Sequence, residues 1–208
     1  MSMRQTPLIS GEYYHLYNRG NSKQTIFHDD QDHRYFMNLL IIMNNEQRSK
    51  SGVIKKRGND EEIIIHIGAY CLMPNHFHIL VKQEKDGGIT LFMQKLSTAY
   101  VMYYNKKYKR TGSLFEGRFK SKHAGEDRYL KYLFSYIHLN PLKILDLNWK
   151  LNPVEKEKRA FLSTYPYSSF HEYSTREFVT VSPDVFPDYF PSRGDFVNEI
   201  ASWLKLGD

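Results

Sequence analysis

The chain has 208 residues, 41% hydrophobic and 25% charged, with 29 Lys+Arg against 23 Asp+Glu for a net charge of +6. This balance fits one globular core of ordinary size. It excludes a disordered, fibrous or membrane-spanning chain, because no apolar run reaches the roughly 18 residues a membrane helix needs. The start has no apolar signal core, and the single cysteine, Cys71, has no internal disulfide partner, so a cytoplasmic location is expected.

In chain order, Tyr13–Tyr17 predicts a short strand, closed by the turn Asn18-Arg19-Gly20-Asn21. A helix follows from Asp30 or Asp32 to Asn44. Asp29 or Asp30 caps it, and Tyr35, Phe36, Leu39, Leu40 and Met43 form its apolar stripe. The polar stretch Glu46–Glu61 reads as a hairpin tip or loop. Two strands, Ile63–Cys71 and His76–Lys82, flank the turn Leu72-Met73-Pro74-Asn75. Thr90 opens a long helix, Leu91 to Tyr108, with Leu91, Lys95, Thr98 and Met102 along one line. Leu114–Lys122 alternates as a strand or extended arm. A last core helix runs from Asp127 to Leu139 and stops before Pro141. The order β-α-β-β-α-β-α predicts an α+β fold: a ferredoxin-like (RRM-like) antiparallel sheet with helices on one face, plus a further helix. Residues 1–145 are expected to form the main domain. Residues 146–208, rich in aromatics and proline, are expected as a C-terminal extension with a short amphipathic helix near Phe196–Leu204.

The charge is concentrated. From Asn105 to His123 stand Lys106, Lys107, Lys109, Arg110, Arg118, Lys120 and Lys122 against one acid, Glu116, so this stretch carries the whole net charge. With 16 Tyr, 13 Phe and 2 Trp in the chain, basic charge beside flat rings suits nucleic acid. Tyr100, Tyr104 and Tyr108 form an i, i+4, i+8 ridge whose ordinary role is core packing. There is no Walker loop, Cys-x-x-Cys or serine-hydrolase elbow.

Two constellations can carry chemistry. In a strand, His76 and His78 share one face about 7 Å apart while Phe77 points to the other. They could converge on an ion or simply face solvent. On a helix, Tyr136 and Asn140 lie one above the other, a possible nucleophile and ligand. The alternative is that Asn140 only ends the helix before Pro141 and Tyr136 packs.

Five blocks in order resemble the single-tyrosine transposases of the HUH nuclease superfamily, which include the REP-associated tyrosine transposases. They are Tyr14-His15-Leu16-Tyr17-Asn18-Arg19-Gly20-Asn21 with Ile26-Phe27; Ala69 to Val81, with His76-Phe77-His78; Tyr104-Asn105 with Gly112 to Lys120; Tyr136-Ile137-His138-Leu139-Asn140-Pro141; and Tyr167-Ser168-Ser169-Phe170. Together they span about Tyr13 to Tyr173. After Pro141 the chain departs from the family pattern with Leu142-Lys143-Ile144-Leu145-Asp146 and a longer polar stretch to Ser163.

The resemblance implies that His76, His78 and Asn140 hold Mg²⁺ or Mn²⁺ and that Tyr136 is the nucleophile. It implies cleavage and rejoining of single-stranded DNA at hairpins through a covalent 5′-phosphotyrosine. The hairpins would be element ends or extragenic palindromes, and a homodimer is possible. Water, His138 or the metal-bound phosphate are the candidate bases. Arg19 and the Asn105–His123 bases are expected to contact DNA, the cluster as a clamp presenting one phosphate to Tyr136. Competing readings are a domesticated hairpin-binding protein without mobility, an RNA-binding ferredoxin-like module, and a zinc hydrolase. The last would need a third His or carboxylate and a catalytic Glu, and the sequence offers no obvious strand-borne set.

Overall fold

The computed structural model describes residues 7–44, 63–151 and 155–205. The expected loop at 46–61 lies outside the described residues. The elements follow the predicted order: β1 (Tyr13–Arg19), α1 (Asp30–Ile42), β2 (Ile65–Met73), β3 (His76–Gln83), α2 (Gly88–Lys107), β4 (Lys120–His123) and α3 (Asp127–Leu139). The sheet order is β2-β3-β1-β4, with each neighbouring pair antiparallel.

Alternation along the strands makes two unlike faces. Tyr14, Leu16, Phe77 and Ile79 turn toward α1 and α2, where Phe77 meets Phe36 at 5.0 Å between ring centroids. The register Tyr17↔His78 and Arg19↔His76 places these residues, with Lys120 opposite Tyr17, on the other face. α3 crosses part of that face, so the histidine side of the sheet is not fully open.

Asp29 caps α1, its side chain accepting from the Asp32 amide at 3.0 Å. α2 starts earlier than the Thr90 signal suggests. Gly87, at φ 73°, turns the chain, and the Gln83 side chain accepts the otherwise unpaired Ile89 amide at 3.1 Å. Its buried stripe is Ile89, Phe92, Met93, Leu96, Tyr100 and Tyr104, which confirms core packing for the first two ridge tyrosines. The Leu91–Met102 line faces outward, with Met102 68% exposed. β4 is shorter than the alternation from Leu114 suggests. Leu114 and Phe115 are buried in irregular chain, and Gly117 at φ 151° breaks the pleat before Lys120.

The C-terminal segment adds α4 (Leu142–Leu145), α5 (Glu155–Thr164), α6 (Phe170–Thr175) and α7 (Arg193–Lys205). It is stitched to β2: the Leu72 amide donates to Tyr167 O at 2.9 Å, and the Ser169 amide to Tyr70 O at 3.0 Å. Gly68 sits at an irregularity of β2, and Phe186 lies so close that a Cβ there would come within 2.7 Å of its ring. The Glu172 carboxylate, nearly buried, accepts the amides of Val179, Thr180 and Val181. Phe196, Ile200 and Leu204 of α7 bury against one continuous core shared with the sheet. Among the described residues no helix is long and apolar enough to cross a membrane.

Candidate active site

β3 presents His76 and His78 with ring centroids 5.0 Å apart and planes at 86°. His76 Nδ1 lies 2.6 Å from Asn75 Oδ1. An amide oxygen only accepts, so Nδ1 carries the proton and Nε2 keeps its lone pair. His78 Nδ1 lies 2.8 Å from His15 Nε2 on the neighbouring strand, so with His78 as donor its Nε2 is likewise left for a ligand. Burial pushes His76 down to about 4, helped by the charges of Lys143 and Arg19. It pushes His15 to about 4 as well, helped by Lys122, and lowers His78 well below the usual range. All three rings are therefore neutral at neutral pH, the form that binds a metal.

α3 brings Tyr136 to this pair. Its half-buried ring stands edge-on, 5.6 Å from His78 and 6.0 Å from His15. A cleft of about 330 Å³ is lined by both histidines, Tyr136, Tyr17, Arg19, Lys120 and Lys143, among others. Three of the four residues expected to do chemistry, His76, His78 and Tyr136, thus meet across 60 positions of sequence.

Asn140 is placed differently. It ends α3, 1% exposed, and its Nδ2 donates to Tyr136 O at 2.9 Å. Its Oδ1, the atom a cation would use, accepts from Lys143 Nζ at 3.0 Å. The same ammonium sits 5.3 Å above the Tyr136 ring centroid. Burial lowers the Lys143 pKa. Lys143 is a site residue that sequence reasoning missed. The available signal was its position three residues after Asn140, close enough for the helical chain beyond Pro141 to fold it back. His15 was also missed, although it alternates with Tyr17 and Arg19 in the first of the five blocks. His138 is not a base for this cleft. It is wholly buried, its Nε2 lies 2.7 Å from Ser169 Oγ, and burial pushes it to about 3.

The basic cluster does not form one clamp. Lys120 and Lys122 stand exposed on β4, on the histidine face. Arg118 is exposed just before them. Arg19 is held by Glu116 through two bonds of 2.9 and 3.2 Å. Lys106 and Lys109 are exposed at the end of α2, in the helical layer behind the sheet, and Arg110 lies over the Tyr104 ring at 5.5 Å. Lys107 is structural: its ammonium meets Asp29 at 2.8 Å and fully buried Asp32 at 2.7 Å. Tyr103 and Tyr108 hydroxyls also bond Asp32. Burial opposes the charge on Lys107, but its bonds to these carboxylates outweigh burial and raise its pKa. Lys107→Met would strand the Asp32 charge and cost about 3–5 kcal/mol of stability, measured by denaturant unfolding. Lys106→Ala should fall within about 0.5 kcal/mol of the parent.

Among the described residues no three His, Cys, Asp or Glu side chains group to hold a metal. Two neutral imidazoles facing one cleft fit a divalent cation, an incomplete shell that leaves room for water and phosphate.

The sequence model of the family described as "Transposase IS200 like" matches residues 9–140. The solved structure of a REP-associated tyrosine transposase bound to a REP hairpin superposes with a TM-score of 0.50 at 16% identity, over 89% of this chain and 94% of that one. A tRNA(His) guanylyltransferase from Saccharomyces cerevisiae gives 0.40 at 12% identity, over 79% and 76%, a likeness too slight to bear on function. No curated protein sequence matches the chain.

Proposed function

Because the chain belongs to the IS200-like transposase family, we propose that it cleaves and rejoins single-stranded DNA at hairpins, with Tyr136 as the nucleophile. The observation that carries this reading is the Tyr136 ring standing 5.6 Å from His78 in a cleft it shares with both histidines.

Tyr136 Oη attacks the scissile phosphorus. A P–O bond to tyrosine forms and the bond to the 3′ oxygen breaks. The phenol loses its proton to solvent, and the leaving oxygen gains one as a free 3′-OH. One phosphoester replaces another, so the 3′-OH of a second strand can reverse the attack and reseal without ATP. A divalent Mg²⁺ or Mn²⁺ held by Nε2 of His76 and His78 would polarise the phosphate and offset charge on the leaving oxygen. Asn140 Oδ1, here bonded to Lys143, is the third ligand that the resemblance suggests. An ordinary phenol has a pKa near ~10 and needs help to ionise. Lys143, over the ring, supplies positive charge where phenolate and phosphate charge develop. Lys143→Met is expected to slow cleavage about a hundredfold, with Lys143→Arg recovering part of it and hairpin affinity little changed.

One nucleophile per chain permits one covalent DNA end at a time, so strand exchange takes successive use or a second copy. A pure hairpin- or RNA-binding module would have no use for two neutral histidines held beside a tyrosine. The deciding experiment incubates the protein with Mn²⁺ and a single-stranded hairpin oligonucleotide and runs a denaturing gel. A covalent protein–DNA band is expected, and its absence overturns the reading.

A further inference from the structure

α3 carries more than Tyr136. Tyr129, Tyr132 and Tyr136, at i, i+3 and i+7, stand in file along one helical face. Their ring centroids are 6.1 and 5.8 Å apart, with interplanar angles of 24° and 31°. Tyr132 is 37% exposed. Trp203 of α7 braces it edge-on at 5.5 Å and is itself fixed by a 2.9 Å bond from Nε1 to Glu199. The edge strand β4 borders this file. Lys122 Nζ sits 4.4 Å over the Tyr129 ring, and Lys120, two residues earlier on the same face, lines the cleft beside Tyr136. Core packing does not account for the arrangement: the rings are partly exposed, and the lysines are exposed and lie on the cleft side of the sheet.

We propose that Tyr129, Tyr132, Lys120 and Lys122 form the seat for the unpaired nucleotides that adjoin the phosphate attacked by Tyr136. Bases stack on the exposed tyrosine faces, and the two lysines meet successive phosphates. Both interactions tolerate any base sequence, as a flank of single-stranded DNA requires. The file ends at the nucleophile, so a strand lying along it delivers its next phosphate to Tyr136. Alternation sets Lys120 and Lys122 about 7 Å apart, a spacing suited to neighbouring phosphates of an extended strand. The seat rests on the single-stranded DNA reading above and gives that reading a direction: the strand runs along α3 and β4, away from the lysines at the end of α2.

The test is equilibrium binding by fluorescence anisotropy in EDTA at fixed salt, where no cleavage intervenes. Four oligonucleotides are compared: the bare hairpin, and the hairpin with a 5′, a 3′ or both single-stranded flanks. Wild type should bind one flanked form about tenfold tighter than the bare hairpin. Tyr132→Ala and Lys122→Ala should each remove most of that gain and leave bare-hairpin affinity within about twofold, with Tyr132→Phe retaining the gain. Thermal unfolding of the three variants checks that the fold is intact. A flank gain in Tyr132→Ala and Lys122→Ala equal to that of wild type overturns the seat, as does a wild type that binds all four DNAs alike. Wild type that binds none of them overturns the DNA reading itself.

Discussion

Tyr136→Phe is expected to form no covalent DNA adduct, with its hairpin affinity and thermal unfolding at the wild-type level. The substitution removes one oxygen and keeps the ring. The ring's packing against His78 and His15, and its position beneath Lys143, therefore survive. What is lost is the hydroxyl proposed to attack phosphorus. Loss of a nucleophile in a covalent mechanism costs on the order of 10⁶-fold in rate, which places the product below detection on a denaturing gel. The aromatic neighbours sharpen the result. Tyr17 and Tyr132 both lie near the cleft, but neither is held beneath Lys143 as Tyr136 is. Persistence of the band in Tyr136→Phe would move the nucleophile to one of them.

His78→Ala is expected to weaken Mn²⁺ binding by more than tenfold and to abolish strand cleavage, with hairpin binding in EDTA unchanged. The variant removes one of two imidazole donors and takes away the hydrogen-bond partner of His15 at 2.8 Å. Because His78 is nearly buried, some loss of stability accompanies it. Activity alone is therefore a poor measure. Mn²⁺ titration followed by electron paramagnetic resonance reads the site directly, and His78→Gln, closer in volume, separates packing from ligation. Wild-type Mn²⁺ affinity in both variants would remove His78 from the metal site. The reciprocal experiment is chelation: with EDTA present, wild type should bind hairpin DNA but leave it uncut.

Much of the fold is written locally. His76-Phe77-His78 alternates, and the strand obeys: Phe77 goes to the helices and the histidines to the opposite face. Asp127–Leu139 carries a helix stop before Pro141, and α3 has those bounds. Where the local pattern misleads, a tertiary contact overrides it. Leu114 and Phe115 alternate like a strand but are buried in irregular chain, where the Asn21 amide donates to Leu114 O, Gly20 bridges Phe115 and the Glu116 amide donates to Arg19 O.

The sequence by itself determined the family, the order of elements, the sheet face that bears His76 and His78, and the helix that bears Tyr136. Each of these depends on periodicity or on contiguous blocks, and both are properties of neighbouring residues. Only the tertiary structure decided which charges are available and which side chains complete the site. Lys107 and Lys122 look alike in sequence. One is captured by Asp29 and Asp32 from a helix far away in the chain, whereas the other lies exposed on an edge strand beside Tyr129. His15 reaches His78 across 63 positions, Trp203 reaches Tyr132 from the C-terminal helix, and Lys143 folds back over Asn140. A charge or a ring acquires its role from the partners that packing brings within a few ångströms, and those partners come from elements no local pattern connects.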